Sequence, residues 1–78
     1  MISDKVLAKE SLDFHLGLLK QITDHLREVR GKMSEDEFKV YASKSGKITL
    51  DILGEFINEI SVAYPELKPA GFNVIGTK

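Results

Sequence analysis

Two histidines and one Gly-Lys pair are the residues of this 78-residue chain that most invite a chemical role. An imidazole titrates near neutral pH, so His15 inside a helix bundle could bind a metal ion or transfer a proton. Di-iron bundles supply Glu-x-x-His pairs, but here Leu12 and Ile22 stand three residues before His15 and His25. The chain has no cysteine, which excludes thiolate sites. We therefore predict no metal or cofactor, and we interpret His15 and Ser11 as a polar pair in a helix interface.

The run from Ser45 to Thr49, Ser-Gly-Lys-Ile-Thr, invites comparison with the phosphate-binding loop, Gly-x-x-x-x-Gly-Lys-Ser/Thr. Tyr41 occupies the position of the first glycine, and Ile48 stands where the metal-binding hydroxyl belongs. No apolar strand precedes the run. The serines also lack a strained turn or an identifiable histidine partner. We therefore expect neither nucleotide binding nor nucleophilic catalysis.

A first amphipathic helix, over about residues 4–30, would carry both histidines. Its apolar side chains recur every three or four residues and fall within a stripe of roughly 140°; they are Leu12, Leu16, Leu19, Ile22, Leu26 and Val29. His15 lies near the centre of this stripe, and His25 lies at its edge. We predict Ser3 as the N-cap, and we predict that Gly31 closes the helix in the left-handed conformation.

A second helix is predicted over residues 35–63. Ser34 and Glu37 match the Ser-x-x-Glu capping box, and Pro65 disfavours helical geometry just after the predicted end. The stripe of this helix keeps steps of three or four throughout: Phe38, Tyr41, Ser45, Ile48, Ile52, Phe56, Ile60 and Ala63. An alternative is two short strands, 38–42 and 48–52, that turn at Gly46. Within a helix, we interpret Gly46 as a small residue where another helix crosses closely.

The short link of residues 31–34 predicts an all-α antiparallel hairpin. Apolar residues beside the second stripe, namely Leu50, Leu53, Ile57 and Tyr64, make it wider than one partner helix can cover. We therefore predict that two hairpins form a homodimeric four-helix bundle. The predicted interface residues are Tyr41, Ala42, Ser45, Ile48, Thr49, Ile52, Phe56 and Ile60.

An acidic ridge on the second helix consists of Asp51, Glu55 and Glu59. In an antiparallel hairpin, position j of the second helix lies roughly opposite position 65 minus j. Glu55 and Glu59 are then expected near Lys9 and Lys5, where interhelical ion pairs would orient the helices. Cation binding by the ridge is the alternative.

The chain divides into a hairpin, residues 1–64, and a tail, residues 65–78. The run LGEFINEISVAYPELKP, residues 53–69, resembles the end of the second helix in small uncharacterised bacterial proteins that leave this helix through Pro-Glu-Leu-Lys-Pro. The resemblance implies a two-helix fold and no catalytic residue. The tail is apolar at Leu67, Phe72, Val74 and Ile75. It is expected either to pack on the bundle or to dock on another protein.

Charge and hydropathy limit the possible partners. The formal net charge is −1, and acidic and basic residues are interspersed, so we expect no nucleic-acid partner. There is no long apolar run, so we expect no membrane partner and a cytoplasmic location. We predict a homo-oligomeric protein–protein interaction or regulatory module without catalysis. A helical metal-binding protein or enzyme that uses His15, and a nucleic-acid-associated regulator, are the two alternatives.

Overall fold

The computed structural model describes residues 2–72, and every regular element in that range is helical. α1 spans Lys5–Val29 and α2 spans Glu35–Ile52. A π-helical turn, Leu53–Asn58, and α3, Glu59–Ala63, continue α2 with helical backbone angles at both junctions. The all-α prediction is therefore confirmed over this range. The two-strand alternative is wrong, because residues 38–52 belong to one helix.

The capping residues set where each helix begins. Ser34 accepts a hydrogen bond from the Glu37 N–H, and the Glu37 carboxylate accepts one from the Ser34 N–H, each at 3.1 Å. This confirms the predicted capping box. The predicted N-cap of α1, Ser3, is wrong, because the Asp4 carboxylate accepts from the N–H groups of Val6 and Leu7. A carboxylate also carries the negative charge that the positive end of a helix favours.

The link between α1 and α2 closes without a left-handed residue. The Lys32 N–H donates to the Val29 carbonyl at 2.9 Å, which forms a tight turn at the end of α1. Within residues 2–72 the one positive φ belongs to Gly71, so the prediction for Gly31 is wrong. The i to i+3 bond satisfies a terminal carbonyl of α1, as a left-handed cap would have done.

Contacts between the two ends of the chain show that the helices run antiparallel. The Tyr64 hydroxyl donates to the Ile2 carbonyl at 2.9 Å, and His25 bonds Tyr41 across the hairpin at 2.6 Å. The core lies in the half of the hairpin away from the link. Its buried apolar side chains are few: Ala8, Leu12, Ile52, Ile57 and Ile60.

The π-helical turn changes which residues of the second helix face α1. The buried residues Ile52 and Ile57 are five apart, which is the i to i+5 step of a π turn. Beyond the turn, Ala63 is exposed and Tyr64 is half-buried, so placing Ala63 on the stripe was wrong. Ile57 and Tyr64 pack with the core of their own chain. The wide apolar stripe predicted for this helix is therefore explained in part by the π-helical turn, which shifts the residues that face α1 by one position.

The beginning of the tail packs against the hairpin. Leu67 and Phe72 both lie against the core cluster. The Phe72 N–H donates to the Pro69 carbonyl at 3.1 Å, and Gly71, with φ +80°, takes the turn position that requires a positive φ. The predicted apolar positions Val74 and Ile75 lie outside the described residues.

Candidate functional site

The structure brings together the predicted polar pair, His15 and Ser11, one helical turn apart on α1. His15 Nδ1 lies 2.7 Å from the Ser11 carbonyl oxygen and 3.4 Å from the Ser11 hydroxyl. A carbonyl oxygen only accepts, so Nδ1 carries the hydrogen and donates it. Nε2 is then the single ring nitrogen left for other chemistry.

Aromatic rings enclose the imidazole of His15. It stacks on Phe56 with a centroid separation of 3.7 Å and an interplanar angle of 12°. The Phe14 ring lies perpendicular to it, with the two ring centroids 5.2 Å apart. Phe56 belongs to the π-helical turn, so the turn supplies the stacking partner. Within residues 2–72, no three histidine, aspartate or glutamate side chains are grouped to hold a metal ion. These contacts hold the His15 imidazole in the interface between α1 and the second helix.

A second histidine contact crosses the hairpin near the link. His25 Nε2 and the Tyr41 hydroxyl are 2.6 Å apart, and their rings meet at 65° with centroids 5.8 Å apart. The sequence analysis placed His25 at the edge of the apolar stripe and missed this bond. The antiparallel register could have predicted it: position 41 of the second helix lies roughly opposite position 65 minus 41, which is 24, the residue before His25. The two residues tie one flank of α1 to one flank of α2.

The eight predicted interface residues fall into three groups by exposure. Ile52 and Ile60 are buried in the core of a single chain, and four more are half-buried along the hairpin: Ala42, Ser45, Thr49 and Phe56. Thr49 donates its hydroxyl hydrogen to the Ser45 carbonyl at 3.0 Å. Tyr41 and Ile48 remain exposed, at 38% and 56%.

Gly46 has no close neighbour among residues 2–72 outside its own helix. A Cβ atom built there would meet nothing within 4 Å, leaving aside the backbone of its own helix. The interpretation of Gly46 as a point of close helix approach is therefore wrong for the α1–α2 hairpin. Gly46 and Lys47 lie inside α2, whose backbone N–H groups bond along the helix. A phosphate-cradling loop cannot form from them.

The ion pairs lie on the surface and differ from those predicted. Lys9 pairs with Asp13 at 2.8 Å, and Lys5 pairs with Glu66 at 3.5 Å. The predicted pairs of Glu55 and Glu59 with these lysines are therefore wrong. For Lys9, a partner one turn along the same helix needs less ordering of side chains than a partner across the hairpin.

Two carboxyl groups have pKa values below their ordinary range. The hydrogen bond from Lys20, followed by the charge of Lys20, lowers the pKa of Asp24. The Ser34 backbone N–H, followed by its side chain, lowers the pKa of Glu37. Both carboxylates are exposed: Asp24 forms a surface ion pair with Lys20, and Glu37 is part of the capping box of α2. Neither marks a catalytic acid or base.

Among the described residues, none of the helices has the length and apolar character needed to cross a membrane. Comparison of the chain with protein-family models, with curated proteins and with solved structures finds no match.

Proposed function

We propose that this protein is a protein–protein interaction or regulatory module that works by self-association into a homodimer, without catalysis. The observation that carries the proposal is the number of large apolar side chains left on the surface of so short a chain. Exposure reaches half or more at five positions along α1 and α2 besides Ile48: Val6 68%, Leu7 53%, Phe14 63%, Val40 58% and Leu50 67%.

The size of the core supports the same proposal. Domains of this length bury too little apolar surface to be stable by a wide margin, and oligomerisation is a common supplement. In the described range five apolar side chains are buried, and the radius of gyration of 14.7 Å exceeds the roughly 11.5 Å of a compact 78-residue domain. The hairpin is elongated and offers a long side on which a partner could pack.

The chain exposes more surface than a compact monomer would. The accessible surface is 5770 Å², against roughly 4,700 Å² for a compact monomer of this mass. A stable protein–protein interface covers about 800 Å² on each partner, and a long side of the hairpin is large enough to supply that area.

Sedimentation equilibrium on the wild-type protein tests this proposal. From about 1 µM to about 1 mM, the weight-average mass should rise from the 8.7 kDa monomer towards twice that value. The thermal midpoint should rise with concentration as well, because association stabilises the folded chain. A chain that stays monomeric throughout, and unfolds at a midpoint independent of concentration, would refute self-association.

A further inference from the structure

The buried side chains of the hairpin all lie at one of its two ends. Residues 23–51, which surround the link and are described throughout, include no buried side chain and none that packs against the core cluster. Every side chain of that cluster comes from residues 2–22 or from residues 52–72. We call residues 23–51 the link end, and we call the other described residues the core end. The two ends of the hairpin therefore differ sharply in the apolar surface that they bury.

The side chains of α2 explain why the link end is poorly buried. Its half-buried positions Ala42, Ser45 and Thr49 are small or polar. The Thr49 hydroxyl donates to the Ser45 carbonyl of its own helix at 3.0 Å and so does not bond to α1. Hydrophobic stabilisation is roughly proportional to the apolar area removed from water, so these side chains contribute little to holding the two helices together. The larger apolar residues Leu26 and Phe38 are only half-buried themselves.

The contacts that cross the hairpin at the link end are few. Among the described residues they include one hydrogen bond, of 2.6 Å between His25 and Tyr41, and one cation–π contact, with the Arg30 guanidinium 5.6 Å from the centre of the Phe38 ring. His25 and Tyr41 are both exposed, and a hydrogen bond adds only modestly to stability. The ion pairs within this end join residues three or four apart in sequence and do not cross the hairpin.

The core end is held by contacts that the link end lacks. The Tyr64 hydroxyl donates to the Ile2 carbonyl at 2.9 Å, beside the buried side chains of the core. Leu67 and Phe72 pack against the same cluster. The ends of a chain ordinarily fray at a lower free energy than its middle. In this hairpin, burial favours the opposite order, with the link in the middle of the chain as the weaker end.

We infer that the link end unfolds locally while the core end stays folded, and that the His25–Tyr41 bond holds the link end closed. Proteins open locally where few apolar contacts are buried and backbone hydrogen bonds face water. The link between α1 and α2 is too short for intact helices to swing apart, so opening unwinds the turns beside it. It uncovers Leu26, Val29 and Phe38, which are half-buried in the closed state. The hairpin can then display apolar side chains without losing its core.

Hydrogen exchange of backbone amides tests the local opening. The wild-type chain is measured at the lowest concentration of the sedimentation series, because the inference concerns a single chain and does not depend on self-association. The protection factors of Leu26 and Ala42 should be at least about tenfold lower than those of Leu12 and Leu16 in the core end. Equal protection at both ends overturns the inference. A wild type that stays monomeric at every concentration refutes the proposed function and leaves this inference standing.

A conservative core variant separates local opening from unfolding of the whole chain. Ile60→Val removes one methyl group from a side chain that stays buried when the link end opens. It should therefore speed exchange at Leu12 and Leu16 by about two- to tenfold and leave Leu26 and Ala42 unchanged. If Ile60→Val speeds exchange at both ends by the same factor, the two ends unfold together and the inference is overturned.

Tyr41→Phe tests the bond that holds the link end closed. This change removes the hydroxyl group that bonds His25 and keeps the aromatic ring beside the imidazole. Exchange at Leu26 and Ala42 should become about two- to tenfold faster, because the open state no longer costs that bond. Tyr64→Phe is the matched control: it removes the hydroxyl that bonds Ile2 in the core end and should leave Leu26 and Ala42 unchanged. Unchanged exchange at these two residues in Tyr41→Phe overturns the role of the bond.

Discussion

Replacing Gly46 with alanine tests how the middle of α2 is packed. Glycine in a helix interior is less favourable than alanine by about 1 kcal/mol, because it loses more backbone freedom on folding. The new methyl group meets nothing within 4 Å outside the helix backbone, so no steric term opposes this gain. Gly46→Ala should therefore raise the free energy of unfolding by about 1 kcal/mol.

The expected change is large enough to measure. The entropy of unfolding of a 78-residue chain is about 0.16 kcal/mol/K, so 1 kcal/mol corresponds to a rise of about 6 °C in the thermal midpoint. Circular dichroism melts, supported by urea unfolding at the same protein concentration, would record it. Gly17→Ala is the matched control, since Gly17 lies inside α1 and also has nothing within 4 Å of a built Cβ atom.

A loss of stability in Gly46→Ala would refute this reasoning, provided that Gly17→Ala is stabilised. The methyl group would then be meeting atoms outside residues 2–72 of its own chain. The small residues Ala42, Ser45 and Gly46 would in that case mark a surface of α2 that is covered in solution. A gain in both variants places Gly46 in open space in solution as well.

Four further predictions concern the core and the helix cap. Ile57→Ala should lower the free energy of unfolding, measured by urea titration, by about 2–5 kcal/mol, because Ile57 is fully buried. In the control Val62→Ala, at a site 47% exposed, the free energy of unfolding should change by less than about 0.5 kcal/mol. Ser61→Ala should leave stability unchanged or raise it by about 1 kcal/mol, because its buried hydroxyl has no hydrogen-bond partner among the described residues; a clear loss in thermal melts would show that a partner exists. Ser34→Ala should lower stability by about 1 kcal/mol through loss of the N-cap, as urea unfolding at neutral pH would record. The pKa of Glu37 is lowered in the folded chain, so its ionised carboxylate stabilises the fold above the unfolded pKa near 4.5. This stabilisation is lost as the pH falls below that value and through the folded pKa. Glu37→Gln should therefore flatten that part of the curve of unfolding free energy against pH, and an unchanged curve would contradict the prediction.

The ends of the helices could be predicted from the sequence because local interactions determine them. The Ser34–Glu37 box and Pro65 act within a few residues, so the second helix begins and ends where their pattern places it. The N-cap of α1 was missed by one residue because Ser3 and Asp4 are both good capping residues. The left-handed conformation predicted for Gly31 was wrong because the turn between Val29 and Lys32 satisfies a terminal carbonyl group of α1 instead.

The π-helical turn could not be predicted from helical periodicity. A stripe that assumes steps of three or four assigns Ala63 to the face of Phe56 and Ile60, whereas the core also buries Ile57 and half-buries Tyr64 while Ala63 is exposed. The apolar residues on both sides of the stripe were the available sign, and they were interpreted as excess width. Packing against α1 decides between the two phases, and that information is not local.

Part of the candidate site was within reach of the sequence. The proximity of Ser11 and His15 follows from their spacing along one helix, and His15 Nδ1 lies 2.7 Å from the Ser11 backbone carbonyl. The stacking of His15 on Phe56 was not predicted, although both residues lie on the predicted stripes, because the antiparallel register sets Phe56 opposite residue 9.

The π-helical turn also gives the second helix one residue more than a regular α-helix would need. A π turn holds one residue more than the α-helical turn that it replaces. Removing one exposed residue between Ile52 and Ile57 would therefore place these two buried residues four apart, as in a regular α-helix, and leave both facing α1. Adding a residue to the same segment would instead turn everything beyond it by about 100°, and the Tyr64 hydroxyl would lose the Ile2 carbonyl. A single deletion between residues 52 and 57 is therefore a smaller change to this fold than a single insertion.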